Sequence, residues 1–228
     1  MELNKSELHI WRYTVSEKEY LDEKSSPLLS PHEQSRCNAY LHEAEKIRYT
    51  GNHRVVRKIL AQYLQAPAGK IVFDMARQGK PFIKNAGLFF SYTYRGNSGL
   101  LAVSRRGEVG VDIEKIKPLH DLAAFADFSF SAQEKKMIFE SSEEQRDDTL
   151  FTFWTFKEAI IKCLGVGLNA DLTQIDLSEF YYRDMNPLAF DNNTMYTIRR
   201  MNAEKGYRAA FAVKGEINDH SEFNYTTD

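Results

Sequence analysis

The stretch GVDIEKI, Gly110 to Ile116, decides how this chain is read. Val109, Val111 and Ile113 alternate with Gly110, Asp112 and Glu114, the period-two pattern of a half-buried β-strand. The face opposite the valines carries two carboxylates two residues apart. On a strand such side chains share one face and lie about 6–7 Å apart along it. Like charges at that spacing repel unless something positive sits between them.

Working outward, LHIWRYT (residues 8–14) reads as a strand, and a long helical region starts at Pro31. Ser30 is a good N-cap, Pro31 occupies the first helical position, and Glu33 completes a capping box. Gly51 is expected to break or bend this region. GKPFI reads as a turn entering a strand, and LFFSYTY and GLLAVSRRGEVGVDIE alternate as strands. SAQEKKMIFE starts a second helix with another box, Ser131 with Glu134. DDTLFTFWTFKEAIIKCLGVGL is a third helix, closed by Gly165. TMYTIRRM and GYRAAFAVKG read as a hairpin, and the last dozen residues as a frayed polar tail. Helix then strands therefore occurs twice, with no flexible linker beside the acidic strand. Two similar halves packed together are expected, residues 1–106 and 107–228, with the polar tail from about 216.

Composition narrows the class. Of 228 residues, 43% are hydrophobic and 27% charged, as in soluble globular proteins. A net charge of −2 argues against a general nucleic-acid binder. Cys37 and Cys163 show no ligand-like spacing, which argues against a disulfide framework or a zinc site. No run reaches the roughly 20 apolar residues of a membrane span, and no signal peptide is recognisable. A soluble cytoplasmic protein is expected. The histidines have no metal spacing, and neither a nucleophile elbow nor a Walker loop is present.

The third helix has an apolar stripe of Phe153, Phe156, Ile160 and Cys163 or Leu164. Trp154, Lys157, Glu158, Ile161 and Lys162 take the other side. By itself, Glu158 with Lys162 is an i,i+4 surface pair worth about 0.2–0.5 kcal/mol. By themselves, the two strand carboxylates fit a solvated sheet face.

Together, GVDIEKIKP, FSFSAQE and FWTFKEAIIKCLGVGL, in that order and spacing, resemble the signature of the Sfp-type 4′-phosphopantetheinyl transferases. The likeness runs from about Ser35 to Val213. It implies an α+β fold of two similar α/β subdomains related by a pseudo-twofold axis, with the active site in the cleft between them. It also implies transfer of the phosphopantetheine arm of coenzyme A to a serine of an apo acyl or peptidyl carrier protein, with adenosine 3′,5′-bisphosphate released.

On this resemblance Mg²⁺ lies between Asp112 and Glu114, with Glu158 as the third acidic position. A hard cation of this kind takes few carboxylates plus substrate phosphates. Glu158 is alternatively the base that takes the serine proton. Lys162 would reach the pyrophosphate and Lys157 the same phosphates. Lys80 and Pro81 match the family's GKP turn, and Arg36 and Arg48 match positions that contact the nucleotide end. Arg54, Arg57 and Lys58 read instead as the solvated face of an amphipathic helix. TYRG, Thr93 to Gly96, departs from the usual serine-histidine-serine-glycine. Thr93 keeps a hydroxyl, Tyr94 replaces the histidine, and Arg95 is expected to supply the missing charge to coenzyme A. A monomer is expected from the length. Leu122 and Phe125 are either core residues or an apolar surface for a carrier helix. The alternative function is a degenerate member that binds coenzyme A or carrier without turnover.

Overall fold

The computed structural model describes residues 1–228 other than 6, 26, 168–169, 183–184, 192–193, 218–219 and 227–228, with backbone alone at 24–25 and 185–191. The alternating stretch at residues 8–14 forms β1 (Leu8–Thr14). Helices α1 (Glu17–Ser25), α2 (Pro31–Asn38) and α3 (Glu43–Leu64) follow. A short hairpin, β2 (Asp74–Met75) and β3 (Pro81–Phe82), precedes β4 (Phe89–Arg95) and β5 (Ser98–Ser104). The second half opens with β6 (Val109–Lys115) and continues through α4 (Leu122–Ser129), α5 (Ala132–Glu140) and α6 (Glu143–Leu164). It then forms β7 (Met185–Asp191), β8 (Thr194–Met201) and β9 (Tyr207–Lys214), and the chain returns as β10 (Ser221–Thr226).

The two halves repeat one connectivity. A strand leads through helices to a 22-residue helix, and a hairpin then inserts its second strand beside the first. The strand orders are β10-β1-β5-β4 and β6-β9-β8-β7. Within them, β1-β5-β4 and β6-β9-β8 correspond, every neighbour antiparallel. The sheets pack face to face through Leu8, Ile10, Leu100 and Ala102 on one side and Val109, Val111 and Phe211 on the other. The outer face of the first sheet packs against Val55, Val56, Ile59 and Leu60 of α3. The outer face of the second packs against Phe153, Phe156 and Ile160 of α6. The architecture is thus mixed α and β, helix–sheet–sheet–helix. Among the described residues no helix is long and apolar enough to cross a membrane.

This layering corrects the reading of β6 as half-buried. Residues 109–114 are all buried, because the valine face meets the first sheet and the carboxylate face meets α6. Gly110 makes the second contact possible. A Cβ there would lie 1.9 Å from the carbonyl oxygen of Ala159 and 2.5 Å from the nitrogen of Cys163. Gly51 has a similar task and does not break its helix. It lies inside α3, where a Cβ would meet Val15 Cγ1 at 2.0 Å. The interruption comes earlier, at residues 39–42.

A buried ionic device is repeated as well. In the first half, Ser30 and Glu33 form the predicted capping box, and Glu33 also accepts from Arg57 and His53. Arg57 Nη1 donates to the carbonyls of Ala68 and Ile71. In the second half, the Ser131–Glu134 box carries Lys157, whose Nζ lies 2.7 Å from Glu134 Oε2. Lys157 donates to the carbonyls of Leu172 and Ile175. Each cation ties its long helix to a capping glutamate and to the turn that follows the helix. Arg57 and Lys157 are fully buried. Arg54 is also buried, paired with Glu19 and Glu23 of α1. The solvated face expected at Arg54 and Arg57 is therefore wrong: charge on a helix does not reveal a second helix bringing partners to it.

The tail is a second correction. Residues 221–226 add a strand parallel to β1, from His9 opposite Ser221 to Thr14 opposite Thr226. Phe223 stacks on Trp11, with ring centroids 4.9 Å apart. The alternation of Phe223 and Tyr225 is a short strand signal inside a polar segment. Positions 218–219 and 227–228 of that tail lie outside the described residues.

Burial opposes ionisation of Glu33, but hydrogen bonds from His53, Arg57 and Ser30 outweigh it and bring the carboxyl down to about 2. Its stabilising contribution is present above the ordinary glutamate range, near 4.5, and is lost as pH falls toward 2. Arg57→Met leaves a buried carboxylate short of its cation. Denaturant unfolding at pH 7 is expected to show a loss of about 3–5 kcal/mol.

Candidate active site

The sheets meet edge to edge where β4 runs beside β6. Backbone pairing does not join them; side chains of β4 do. Ser91 Oγ accepts from the Val111 N–H at 3.2 Å, which satisfies the free edge of β6. Thr93 Oγ1 donates to Asp112 Oδ1 at 3.1 Å. Arg95 places its fork on both oxygens of Glu114. Because Ser91, Thr93 and Arg95 alternate with Tyr92 and Tyr94, the first set faces β6 and the second faces a pocket whose lining Ser91 also joins.

The α6 contact at Gly110 sets the other wall. With that helix lying on β6, Lys162 Nζ comes 2.5 Å from Asp112 Oδ1 and 3.9 Å from Glu158 Oε2. Trp154 Nε1 donates to Glu114 Oε1 at 3.3 Å. The repulsion posed by the two strand carboxylates is thus met by two cations of the chain, Lys162 on Asp112 and Arg95 on Glu114. Burial pushes the Glu158 carboxyl up to about 7; Lys162 opposes the shift and Asp112 and Glu114 reinforce it.

The pocket holds about 400 Å³ and lies between α2, α3, the β2–β3 turn, β4 and the C-terminal end of α6. Glu158 and Lys162 line it, as do Arg36, Lys80, Pro81 and Tyr94. Arg48 is half-buried and adjoins it electrostatically, acting on Tyr94. A larger cavity, about 490 Å³, opens at the ends of β1, β5 and β10, away from these groups.

Four expected phosphate contacts stand differently in the structure. Lys157 is fully buried and its three donors are spent on Glu134, Leu172 and Ile175. Its motif position marks a structural cation. Arg95 is committed to Glu114. Thr93 is buried and orients Asp112. The Lys80 ammonium is held by Glu108 Oε2, the Val109 carbonyl and the Cys163 carbonyl. It thereby caps the last turn of α6, where carbonyls are unpaired and the dipole favours a cation. Leu122 and Phe125 pack on the second core, and the exposed aromatic of α4 is Phe128.

As the side chains stand, no group of three or more His, Cys, Asp or Glu among the described residues is arranged to hold a metal ion. Glu114 is occupied by Arg95. Asp112, however, is fully buried, and its Oδ2 has no hydrogen-bond partner. An orphaned buried carboxylate oxygen beside Glu158 is a two-carboxylate donor set of the kind Mg²⁺ accepts when phosphates complete its shell. The residues present therefore fit such an ion.

Sequence reasoning missed the aromatic side of the pocket, formed by Tyr40, Tyr49, His53 and Tyr92. Its signal was present: Tyr49 and His53 are one helical turn apart, and Tyr92 shares a strand face with Tyr94 on β4.

Residues 108–212 match the 4′-phosphopantetheinyl transferase superfamily. The 4′-phosphopantetheinyl transferase HetI of a Nostoc species is 30% identical over 176 residues, 75% of this chain and 74% of that protein. The L-aminoadipate-semialdehyde dehydrogenase-phosphopantetheinyl transferase of Xenopus laevis is 23% identical over 212 residues, 84% of this chain and 70% of that one. The 4′-phosphopantetheinyl transferase ffp of Bacillus subtilis is 23% identical over 183 residues, 80% of each.

A raised carboxyl in the folded state means that stability is greatest below the ordinary glutamate value and falls as pH rises toward 7. In chelator, the thermal midpoint is expected to decline from pH 4.5 to 7.5, and Glu158→Gln to flatten that decline. Identical profiles for the two proteins would show that Glu158 titrates as a solvated carboxylate.

Proposed function

The chain belongs to the 4′-phosphopantetheinyl transferase superfamily, and from that premise we propose a Mg²⁺-dependent transfer of the 4′-phosphopantetheine arm of coenzyme A to a serine of an apo acyl or peptidyl carrier protein. Adenosine 3′,5′-bisphosphate is the other product. The observation that carries the reading is the convergence of Glu158 and Lys162, which line one pocket, on the buried Asp112, whose second oxygen has no partner.

In this reading the nucleotide end of coenzyme A lies toward Arg36 and Arg48, and its pyrophosphate toward Lys162. Asp112 and Glu158 would hold Mg²⁺, which would supply neutralising charge for the pyrophosphate. Lys162 leaves Asp112 for the phosphates and stabilises the departing bisphosphate. Glu158 is alternatively the general base: without an ion on it, its carboxyl is pushed up to about 7 by burial, which suits proton removal from the incoming serine. Thr93 orients Asp112, and Arg95 fixes Glu114 as the outer carboxylate of the site. The matching strand orders support two subdomains related by a pseudo-twofold axis, with this cleft between them. The active species is a monomer in the cytoplasm.

The test is incubation with coenzyme A, Mg²⁺ and a panel of apo carrier proteins, followed by mass spectrometry of the intact carriers. A carrier heavier by one phosphopantetheine group is expected, with no gain in chelator. Lys162→Ala should lower kcat about 10²–10³-fold, the range for a lost transition-state donor. Unmodified carriers across the panel, or full turnover in chelator, contradict the reading.

A further inference from the structure

The mechanism above leaves the aromatic side of the pocket without a task, although it contains a histidine built into a relay. His53 is buried and lines the pocket from α3. Its Nδ1 lies 2.9 Å from Glu33 Oε1. Glu33 is a carboxylate over the working pH range and can only accept, so Nδ1 carries the hydrogen. In a neutral ring Nε2 then carries the lone pair. It lies 3.4 Å from the Tyr92 hydroxyl, which burial keeps protonated. A neutral ring accepts from Tyr92 over that long distance, and a charged ring donates instead.

The ring is held in place. It stacks on Tyr49 with centroids 4.0 Å apart and meets Tyr92 edge-on at 5.5 Å. The charged and titratable groups around it are Glu33 and Arg36 of α2, Tyr49 and Arg57 of α3, and Tyr92 and Tyr94 of β4. Arg57 is consumed by Glu33 and two carbonyls. The tyrosines are neutral, their hydroxyls pushed up by burial. Arg36 is exposed at the same pocket. A polyanion entering here meets Arg36 and the His53 ring, with Lys80, Glu158 and Lys162 lining the same pocket from the other side.

We propose that His53 is a proton-coupled phosphate-binding residue: with Nδ1–H fixed on Glu33, Nε2 takes a proton from solvent and donates a hydrogen bond to a phosphate monoester of the bound nucleotide. The proposal rests on the reading that coenzyme A occupies this pocket. It adds that affinity for the nucleotide falls as pH rises, and that a second-row glutamate sets the orientation of the ring.

The test is calorimetric titration with adenosine 3′,5′-bisphosphate at pH 7.5, in two buffers of different protonation enthalpy. The second phosphate ionisation lies near 6, so the ligand itself is already largely dianionic. The wild type is expected to take up more protons on binding than His53→Gln, which keeps a neutral donor of similar reach. Uptake at other groups, Glu158 included, is common to both proteins and cancels in the difference. Affinity for the nucleotide should weaken with rising pH in the wild type and much less in His53→Gln. His53→Ala should bind about tenfold more weakly, as for loss of a charge-assisted hydrogen bond. Tight binding by the wild type with proton uptake and affinity no greater than those of His53→Gln overturns the proposal. Failure of the wild type to bind the nucleotide at all overturns the reading of the pocket, and the proposal with it.

Discussion

Everything at the cleft follows from how closely α6 lies on β6. The helix backbone at Ala159 and Cys163 rests where a side chain at position 110 would have to be. Only glycine allows that approach, and the approach fixes which residues meet. Asp112, two residues along the same strand face, comes under Lys162, and Glu114 comes under Trp154. A helix set further out would leave two carboxylates on a sheet face with water between them. At this distance they are buried, paired with cations of the chain, and one oxygen is left over.

Holding a long helix that tightly needs an anchor at its far side, and the fold supplies the same one twice. Arg57 and Lys157 each join a capping-box glutamate to two carbonyls of the following turn. Every nitrogen of the two cation ends has a hydrogen-bond or ion-pair partner, which is what makes a buried charge tolerable. Burial opposes ionisation of both glutamates, but the net results differ. Glu33 is drawn well down by its several donors, whereas desolvation raises the Glu134 carboxyl and lowers the Lys157 ammonium. The first-half anchor is therefore the more strongly ionic of the two, and it is also the one that extends, through His53, into the pocket.

The legible part of the fold was the part governed by local pattern. Capping boxes at Ser30 and Ser131, the glycine stop at Gly165, the alternation in β1, β4, β5 and β6 and the β8–β9 hairpin all depend on neighbours in sequence, and all were found where the residues placed them. What escaped depends on partners distant in sequence. β10 finds β1 across more than 200 residues, and its polar residues hid two inward aromatics. Arg57 reads as a surface arginine until Glu33 and the Ala68 turn are brought to it. At the site, Asp112, Glu114, Glu158 and Lys162 stood out because the three motif blocks together resemble a family signature; by periodicity alone they read as a solvated sheet face and a surface pair. Lys157, Arg95 and Lys80 belonged to the same motifs, yet their charges are absorbed by the protein. A motif records that a residue is required and does not distinguish a ligand contact from a buried ion pair.

The close approach of α6 to β6 is open to a direct test through Gly110→Ala, with unfolding and phosphopantetheine transfer measured on the same preparation. The clash is with backbone atoms, which cannot rotate away, so the helix has to lift. The expected result is a loss of about 3 kcal/mol, the upper end for overpacking a core, together with a fall in kcat as Lys162 and Glu158 move off Asp112. A variant with wild-type stability and wild-type kcat would contradict the account, because the site would then not depend on the contact that is held here to build it.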